Sequence, residues 1–307
     1  MLTTYNEPRV LLIGASGQVG GAWQALLPAA QIVAAPSRAQ LDLCQRDGLA
    51  DALARLIEQT EPNLIVNAAA YTAVDRAEQE PELAFAINAH APGVIARVAG
   101  AARIGLIHYS TDYVFDGRGH EPFTETDSVA PLSVYGRSKL AGENEVQAAS
   151  AAHWIFRTSW VFGVHGQNFL KTMLRLAQSK DELRVVNDQF GAPTPASLLA
   201  RLPLLLWRGL AQTEQPGWGL YHLCPSGVTS WHGYACYAIE QARQKGWPIK
   251  VQPQAIYPVT SDEFVVQATR PHNSRLATNK LAQALGMALP SWQQGVDEVL
   301  AQLEAQA

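Results

Sequence analysis

In the first half of the chain, short apolar runs alternate with longer stretches whose apolar residues recur at helical spacing. The runs Arg9–Ile13, Gln31–Ala34, Leu64–Asn67, Gly105–Ser110 and Trp154–Thr158 predict strands. The stretches Gln18–Leu27, Gly48–Gln59, Glu82–Ala102 and Val134–Ala149 predict helices. Strands that are hydrophobic almost throughout, with helices between them, imply a parallel sheet covered on both faces. The expected fold class is therefore α/β, a doubly wound parallel sheet of Rossmann type, whose crevice lies beyond the carboxyl ends of the strands. The second half is less regular. Helices are predicted at Asn168–Gln178, Pro195–Gly209, Ser230–Gly246, Asn279–Leu285 and Ser291–Glu304, and strands at Leu183–Val186 and Leu220–Cys224. Pro248–Pro271 reads as loop with a short extended piece. Ser230 suits an N-cap and Gly246 a helix stop.

With 48% apolar residues among 307, a substantial core is expected. Net charge is −4, and the 23 basic residues form neither a stripe for nucleic acid nor a polybasic membrane segment. No apolar run approaches the roughly eighteen residues of a membrane span. Leu198–Trp207, interrupted by Arg201 and Pro203, reads as a buried helix. The polar start, Met1–Pro8, lacks the apolar centre of a signal peptide, so a cytoplasmic location is expected. Cys44, Cys224 and Cys236 form no CxxC and suit buried thiols in a reducing compartment. His222, His232 and Cys224 match no closed zinc spacing, and no metal is expected.

Candidate chemistry sits at the ends of the predicted strands. Gly14-Ala15-Ser16-Gly17-Gln18-Val19-Gly20 follows the first. There Gly14 permits a tight turn, Gly17 lets backbone approach a pyrophosphate, and Gly20 lets the helix lie close to the strand. A glycine-rich turn with no ligand has the same spelling. Read with the strand pattern, the motif makes residues 1–165 mainly a dinucleotide-binding domain and 166–307 mainly a smaller α/β substrate-binding lobe, with the chain crossing back between them. Tyr135 and Lys139 are four apart in a helical stretch, so phenol and ammonium share one face. A neighbouring cation lowers a phenol's pKa and fits it for proton transfer, whereas a half-buried Tyr beside a surface Lys is the structural alternative. Thr111, in Ser110-Thr111-Asp112, can offer its hydroxyl to a carbonyl oxygen, or merely cap a turn. After the second strand stands Ser37-Arg38, with no acid before Asp42. That favours NADPH, because an arginine accommodates a 2′-phosphate; NADH is the alternative.

Seven segments occur in order: Gly14–Gly20, Asn67–Asp75, Tyr109–Phe115, Tyr135–Lys139, Arg157–Trp160, Asn187–Thr194 and Arg270–Arg275. The set resembles the dTDP-4-dehydrorhamnose reductases among the extended short-chain dehydrogenase/reductases, over nearly the whole chain. The resemblance implies reduction at C4 of dTDP-4-dehydro-L-rhamnose to dTDP-L-rhamnose. Tyr135 would give the proton, Lys139 would hold the ribose, and Thr111 would complete the catalytic set. The implied cofactor contacts are Gly14, Ser16, Gly17, Gln18, Val19 and Gly20, then Ser37, Arg38, Asp42 and Leu43. Ala69, Ala70, Tyr71 and Thr72 follow, with Tyr109, Tyr135 and Lys139. The implied substrate contacts are Thr111, Asp112, Tyr135, Trp160, Asn187, Gln189, Arg270 and Asn273. Trp160 as plain core and Arg270 as a surface ion pair are the structural alternatives. Some relatives dimerise around a magnesium ion held by carboxylates. This chain has Ala22, Ser197 and Gln302 at those positions, so no such ion and a monomer or weak homodimer are expected. A regulatory subunit of a methionine adenosyltransferase, or a nucleotide-sugar epimerase or dehydratase, would share much of the motif set. The Arg270–Arg275 segment favours the reductase.

Overall fold

A computed structural model describes residues 7–45, 47–150, 152–209, 217–264 and 266–305. Five strands of the first half, β1 (Val10–Ile13), β2 (Ile32–Ala34), β3 (Leu64–Asn67), β4 (Gly105–Thr111) and β5 (His153–Thr158), pair in parallel. A sixth, Gly219–His222, adds beside β5, so the order across the sheet is Gly219–His222, β5, β4, β3, β1, β2. The predicted Leu220–Cys224 strand therefore belongs to the main sheet.

Alternate strand residues face opposite layers. Val10, Leu12, Leu64, Val66 and Ile107 pack with Trp23 of helix α1 (Gln18–Leu26) and with Leu198, Leu202 and Trp207 of helix Ala196–Gly209. Leu11, Ile13, Ile65 and Leu106 pack on the other side against helix α2 (Leu49–Thr60) and helix Ala91–Ala102. Each fully buried aliphatic side chain of this kind contributes about 1.5–3 kcal/mol. The strands must thus be apolar on both faces, as their sequences are. The second half has its own aromatic core, with Phe162, Tyr234 and Trp292 packed among Leu170, Val296 and Leu300. Ile256–Val259, the extended piece inside the long loop, pairs in parallel with Leu183–Val186.

Helix Glu82–Ala102 is not one regular helix. It runs as Pro81–Phe85, a π segment Ala86–His90, and Ala91–Ala102. Pro92 has no N–H to offer the Asn88 carbonyl, so the ladder widens there. Gly142 packs onto that carbonyl; a Cβ on it would lie 2.0 Å from the Asn88 oxygen. Ser230 caps its helix as expected, accepting from Gly233 N at 3.0 Å, and Gly246 has φ +82°. None of the described helices is long and apolar enough to cross a membrane.

Candidate active site

The loop after β1 turns at Gly14, whose φ is +84°. A Cβ on Gly14 would lie 2.5 Å from Ala69 N, and one on Gly20 would lie 2.1 Å from the Gly14 oxygen. Only glycine lets α1 start this close to the sheet. Gly17 is the N-cap and makes no side-chain cap, and the first turn of α1 carries no acid. The helix's leading N–H groups thus point outward without a side-chain acceptor, a ready site for a phosphate anion.

Two cavities of about 530 Å³ each meet at this loop, sharing Ser16 and Ala70. Gly14, Ser37, Arg38, Asp42, Leu43 and Ala69 line one. Gly17, Gln18, Val19, Thr72, Tyr109, Thr111, Asp112, Tyr135, Lys139 and Trp160 line the other. Arg38 stands largely exposed at the rim, 3.6 Å from the Asp42 carboxylate. Gly20 lies behind the loop as packing. Tyr71 lines neither cavity, contrary to expectation: Asn88 Oδ1 accepts from its N–H at 2.8 Å and Glu80 accepts from its hydroxyl at 2.5 Å. Asn88 also donates to Ser138 Oγ at 3.0 Å, tying this loop to the helix of Tyr135. Sequence reading passed Asn88 over.

Helix Val134–Ala149 begins under a Ser133 cap, which accepts from Gly136 N at 3.1 Å. Gly136 is wedged against the loop after β4, and a Cβ there would lie 2.3 Å from the Tyr113 oxygen. This contact sets Tyr135 beside Thr111 and edge-on to Tyr113, with ring centroids 5.6 Å apart. Burial pushes the Tyr135 phenol up to about 12, while the Thr111 hydroxyl beside it acts to lower it. The expected acidification by Lys139 is not what the geometry provides. The ammonium reaches back instead, donating to the Tyr109 carbonyl at 2.5 Å and lying 3.5 Å from His108 Nε2. Burial brings it down to about 8, against the pull of Glu143. His108, fully buried, sits between Lys139 and Asn67 Nδ2 (3.1 Å), and burial followed by the Lys139 charge holds it well below the usual imidazole range. Its only signal was a histidine placed directly after the apolar run Leu106-Ile107 inside the strand.

Tyr109 lends the cavity its ring edge, since its hydroxyl donates to the Leu199 carbonyl and accepts from Trp23 Nε1. Trp160 has φ +49°, a strained conformation for a bulky residue, and stacks on Trp231 with centroids 3.8 Å apart. Trp231, missed in the sequence, lines both this cavity and a neighbouring one of about 430 Å³ that includes Arg184, Gln189, Phe264 and Arg270. Gln189 accepts from Trp231 Nε1 at 3.1 Å. Arg270 donates to Asp75 at 2.9 Å, the ion-pair alternative, yet still faces the cavity and keeps an unpartnered Nε. Asn187 and Asn273 line none of these cavities. Asn187 accepts from Ser230 Oγ at 2.5 Å, and buried Asn273 donates to the Glu121 carbonyl at 2.8 Å, fastening a loop. Ala22, Ser197 and Gln302 do converge, on a separate cleft of about 240 Å³ with Glu298 and Arg201. Among the described residues no three His, Cys, Asp or Glu side chains are grouped to hold a metal.

Residues 8–305 match the family described as RmlD substrate binding domain. A dTDP-4-dehydrorhamnose reductase of Escherichia coli K12 is 47% identical over 295 residues, 96% of this chain and 97% of that protein. The crystal structure of a dTDP-4-dehydrorhamnose reductase from Bacillus anthracis in complex with NADP superposes with a TM-score of 0.85 at 32% identity, covering 97% of this chain and 100% of that one. A Clostridium acetobutylicum dTDP-4-dehydrorhamnose reductase gives a TM-score of 0.83 at 36% identity, with coverages of 96% and 99%. The outward-facing start of α1, the Tyr135 cavity and matches spanning nearly the whole chain agree, and the chain belongs to the dTDP-4-dehydrorhamnose reductase family.

Proposed function

We propose that this protein reduces the C4 keto group of dTDP-4-dehydro-L-rhamnose to dTDP-L-rhamnose, with NADPH as the preferred reductant and NADH as the alternative. The observation that carries the reading is the convergence of Tyr135, Thr111 and Lys139 on the cavity that begins at the uncapped start of α1. The glycine cradle and the free N–H groups fit a dinucleotide pyrophosphate, and the open side of Arg38 fits a 2′-phosphate. The bound cofactor supplies the hydride. Tyr135 holds its proton across the working pH range and gives it to the C4 oxygen. Thr111 donates a hydrogen bond that steadies the phenolate left behind. Lys139, anchored on the Tyr109 carbonyl, presents its remaining N–H bonds to the cofactor ribose. The stacked Trp160–Trp231 pair walls the sugar from water, and Gln189 and Arg270 face the diphosphate from the adjoining cavity, guanidinium being a forked partner for phosphate.

The direct trial is incubation with NADPH and a panel of 4-keto-6-deoxy sugar nucleotides, following NADPH consumption and identifying the product. Formation of dTDP-L-rhamnose supports the reading. No consumption with any keto sugar, together with copurification of a synthetase, would instead favour the regulatory-subunit alternative. The working partner is a sugar nucleotide, with no nucleic acid or membrane involved and a cytoplasmic setting. Because Ala22, Ser197 and Gln302 bring no carboxylate to their cleft, adding Mg²⁺ should leave the mass in light scattering unchanged. A metal-dependent doubling would overturn that expectation.

A further inference from the structure

Three buried polar atoms on the wall of the reaction cavity have no partner among the described residues: Ser110 Oγ, Thr158 Oγ1 and Asp112 Oδ2. Asp112 is the ionisable one, and its residue is 3% exposed. Its other oxygen, Oδ1, accepts from Thr111 Oγ1 at 3.1 Å. Thr111 Oγ1 also accepts from Tyr113 N at 3.2 Å, and on the same cavity wall it lies beside the Tyr135 phenol, whose ionisation it favours. A hydroxyl owns one proton. While Asp112 is ionised, that proton is committed to the carboxylate, and Thr111 can only accept from Tyr135. Once Asp112 is protonated, its carboxyl donates to Thr111 and the Thr111 proton turns towards Tyr135. One proton on Asp112 therefore sets the direction of the chain Asp112–Thr111–Tyr135.

We propose that Asp112 is a positioning residue that stores the proton restoring Tyr135 after each turnover and passes it through the Thr111 hydroxyl. The step rests on the reductase reading. As C4 gains hydride from bound NADPH and its C=O bond becomes single, the Tyr135 O–H bond breaks and the proton goes to the C4 oxygen. The Thr111 proton then moves to the Tyr135 phenolate, and the Asp112 proton moves to Thr111. Asp112 is left as a carboxylate, and its unpartnered Oδ2 on the cavity wall takes the next proton from water admitted as the product leaves. No reductant beyond NADPH is needed.

Burial pushes the Asp112 carboxyl up to about 6, with the nearby Ser274 and Thr111 hydroxyls pulling the other way. The titratable groups facing it are Tyr113 on its own turn, Tyr135 from helix Val134–Ala149 and Cys224 after the last sheet strand. Burial moves all three upward, away from neutrality, and Lys139, at about 8, is the next group to titrate in this cavity. A change centred near pH 6 is thus Asp112's.

The test has two arms. The first is infrared difference titration of the protein alone, wild type against Asp112→Asn. It should show a protonated carboxyl that disappears as pH rises through about 6 in wild type only. This arm needs no substrate, so its failure is distinct from failure of the reductase reading. The second is kcat against pH. Wild-type kcat should fall as pH rises through that ionisation. In Asp112→Asn the limb should vanish, with kcat at its acid end lowered roughly 100-fold, at the scale of one proton-transfer group. Thr111→Val, which cuts the chain but keeps the Asp112 carboxyl, should lose the limb too, and Thr111→Ser, which keeps the hydroxyl, should restore it. A variant Asp112→Asn with raised KM but unchanged kcat and an unchanged profile would show a sugar contact only and overturn the proposal. So would the absence of the infrared signal.

Discussion

Replacing Tyr135 with Phe should lower kcat by roughly 10²–10⁴-fold, the range for loss of a positioned proton donor. The variant removes one oxygen and leaves the packing. The ring keeps its edge-on contact with Tyr113, and the Ser133 cap and the Gly136 approach to the Tyr113 carbonyl involve no atom of the phenol. NADPH affinity, followed by fluorescence titration, should therefore stay within a few-fold. The separation matters, because loss of both activity and binding would mean damage to the cavity. A phenol pushed up to about 12 is a poor base but a sound donor to an oxygen that becomes an alkoxide as hydride arrives. Charge then passes to Tyr135, and the neighbour placed to meet it is the Thr111 hydroxyl, since the Lys139 ammonium is turned away onto the Tyr109 carbonyl. If turnover survives the substitution within a few-fold, Tyr135 is not the donor.

The cofactor side of this cavity was legible in sequence because its determinants are local. A strand, a turn and a helix start need only the consecutive residues Val10–Gly20, and the positive φ at Gly14 and the crowding at Gly20 are what those glycines are for. Tyr135 and Lys139 were legible for the same reason, being one helical turn apart. What the spacing could not tell was where the ammonium points, since that depends on the carbonyl of a strand 30 residues earlier. The substrate side fared differently. Asn187 and Gln189 are two apart, yet one fastens Ser230 and the other meets Trp231 in a cavity wall. A motif locates the loop, and the packing of distant helices decides which of its side chains faces in. Trp231 was silent for the same reason: its stacking partner lies 71 positions away in the chain, and nothing in its own segment sets it apart from a core residue. The π segment had a local cause in Pro92, but its purpose, bringing Asn88 between the Tyr71 loop and the Tyr135 helix, is tertiary.

Glu143→Ala should destabilise the fold by about 3–5 kcal/mol, the cost of stranding a buried charge. Glu143 and Arg157 are 1% and 4% exposed, and the carboxylate accepts from Arg157 Nε at 2.9 Å and Nη2 at 2.7 Å. The guanidinium also lies over the Phe115 ring, 5.0 Å from its centroid. Removing the carboxylate leaves that cation with no counter-charge and no route to water. The pair joins helix Val134–Ala149 to the end of β5, where Arg157 stands in register with Ser110 of β4. It therefore clamps the Tyr135 helix to β5, the strand paired alongside the one carrying Thr111. Lys139 lies one turn before Glu143, whose charge opposes the fall of the ammonium from its ordinary value. Without Glu143 the ammonium should titrate lower still, and the alkaline edge of activity that depends on it should move to lower pH. Urea unfolding and a kcat–pH profile measure the two effects. The double variant Glu143→Leu with Arg157→Met should recover much of the lost stability, since apolar replacement of a whole buried pair is often tolerated, yet the alkaline edge should stay displaced. A Glu143→Ala protein within 1 kcal/mol of wild type would mean that the pair is not desolvated in solution as it is in this structure.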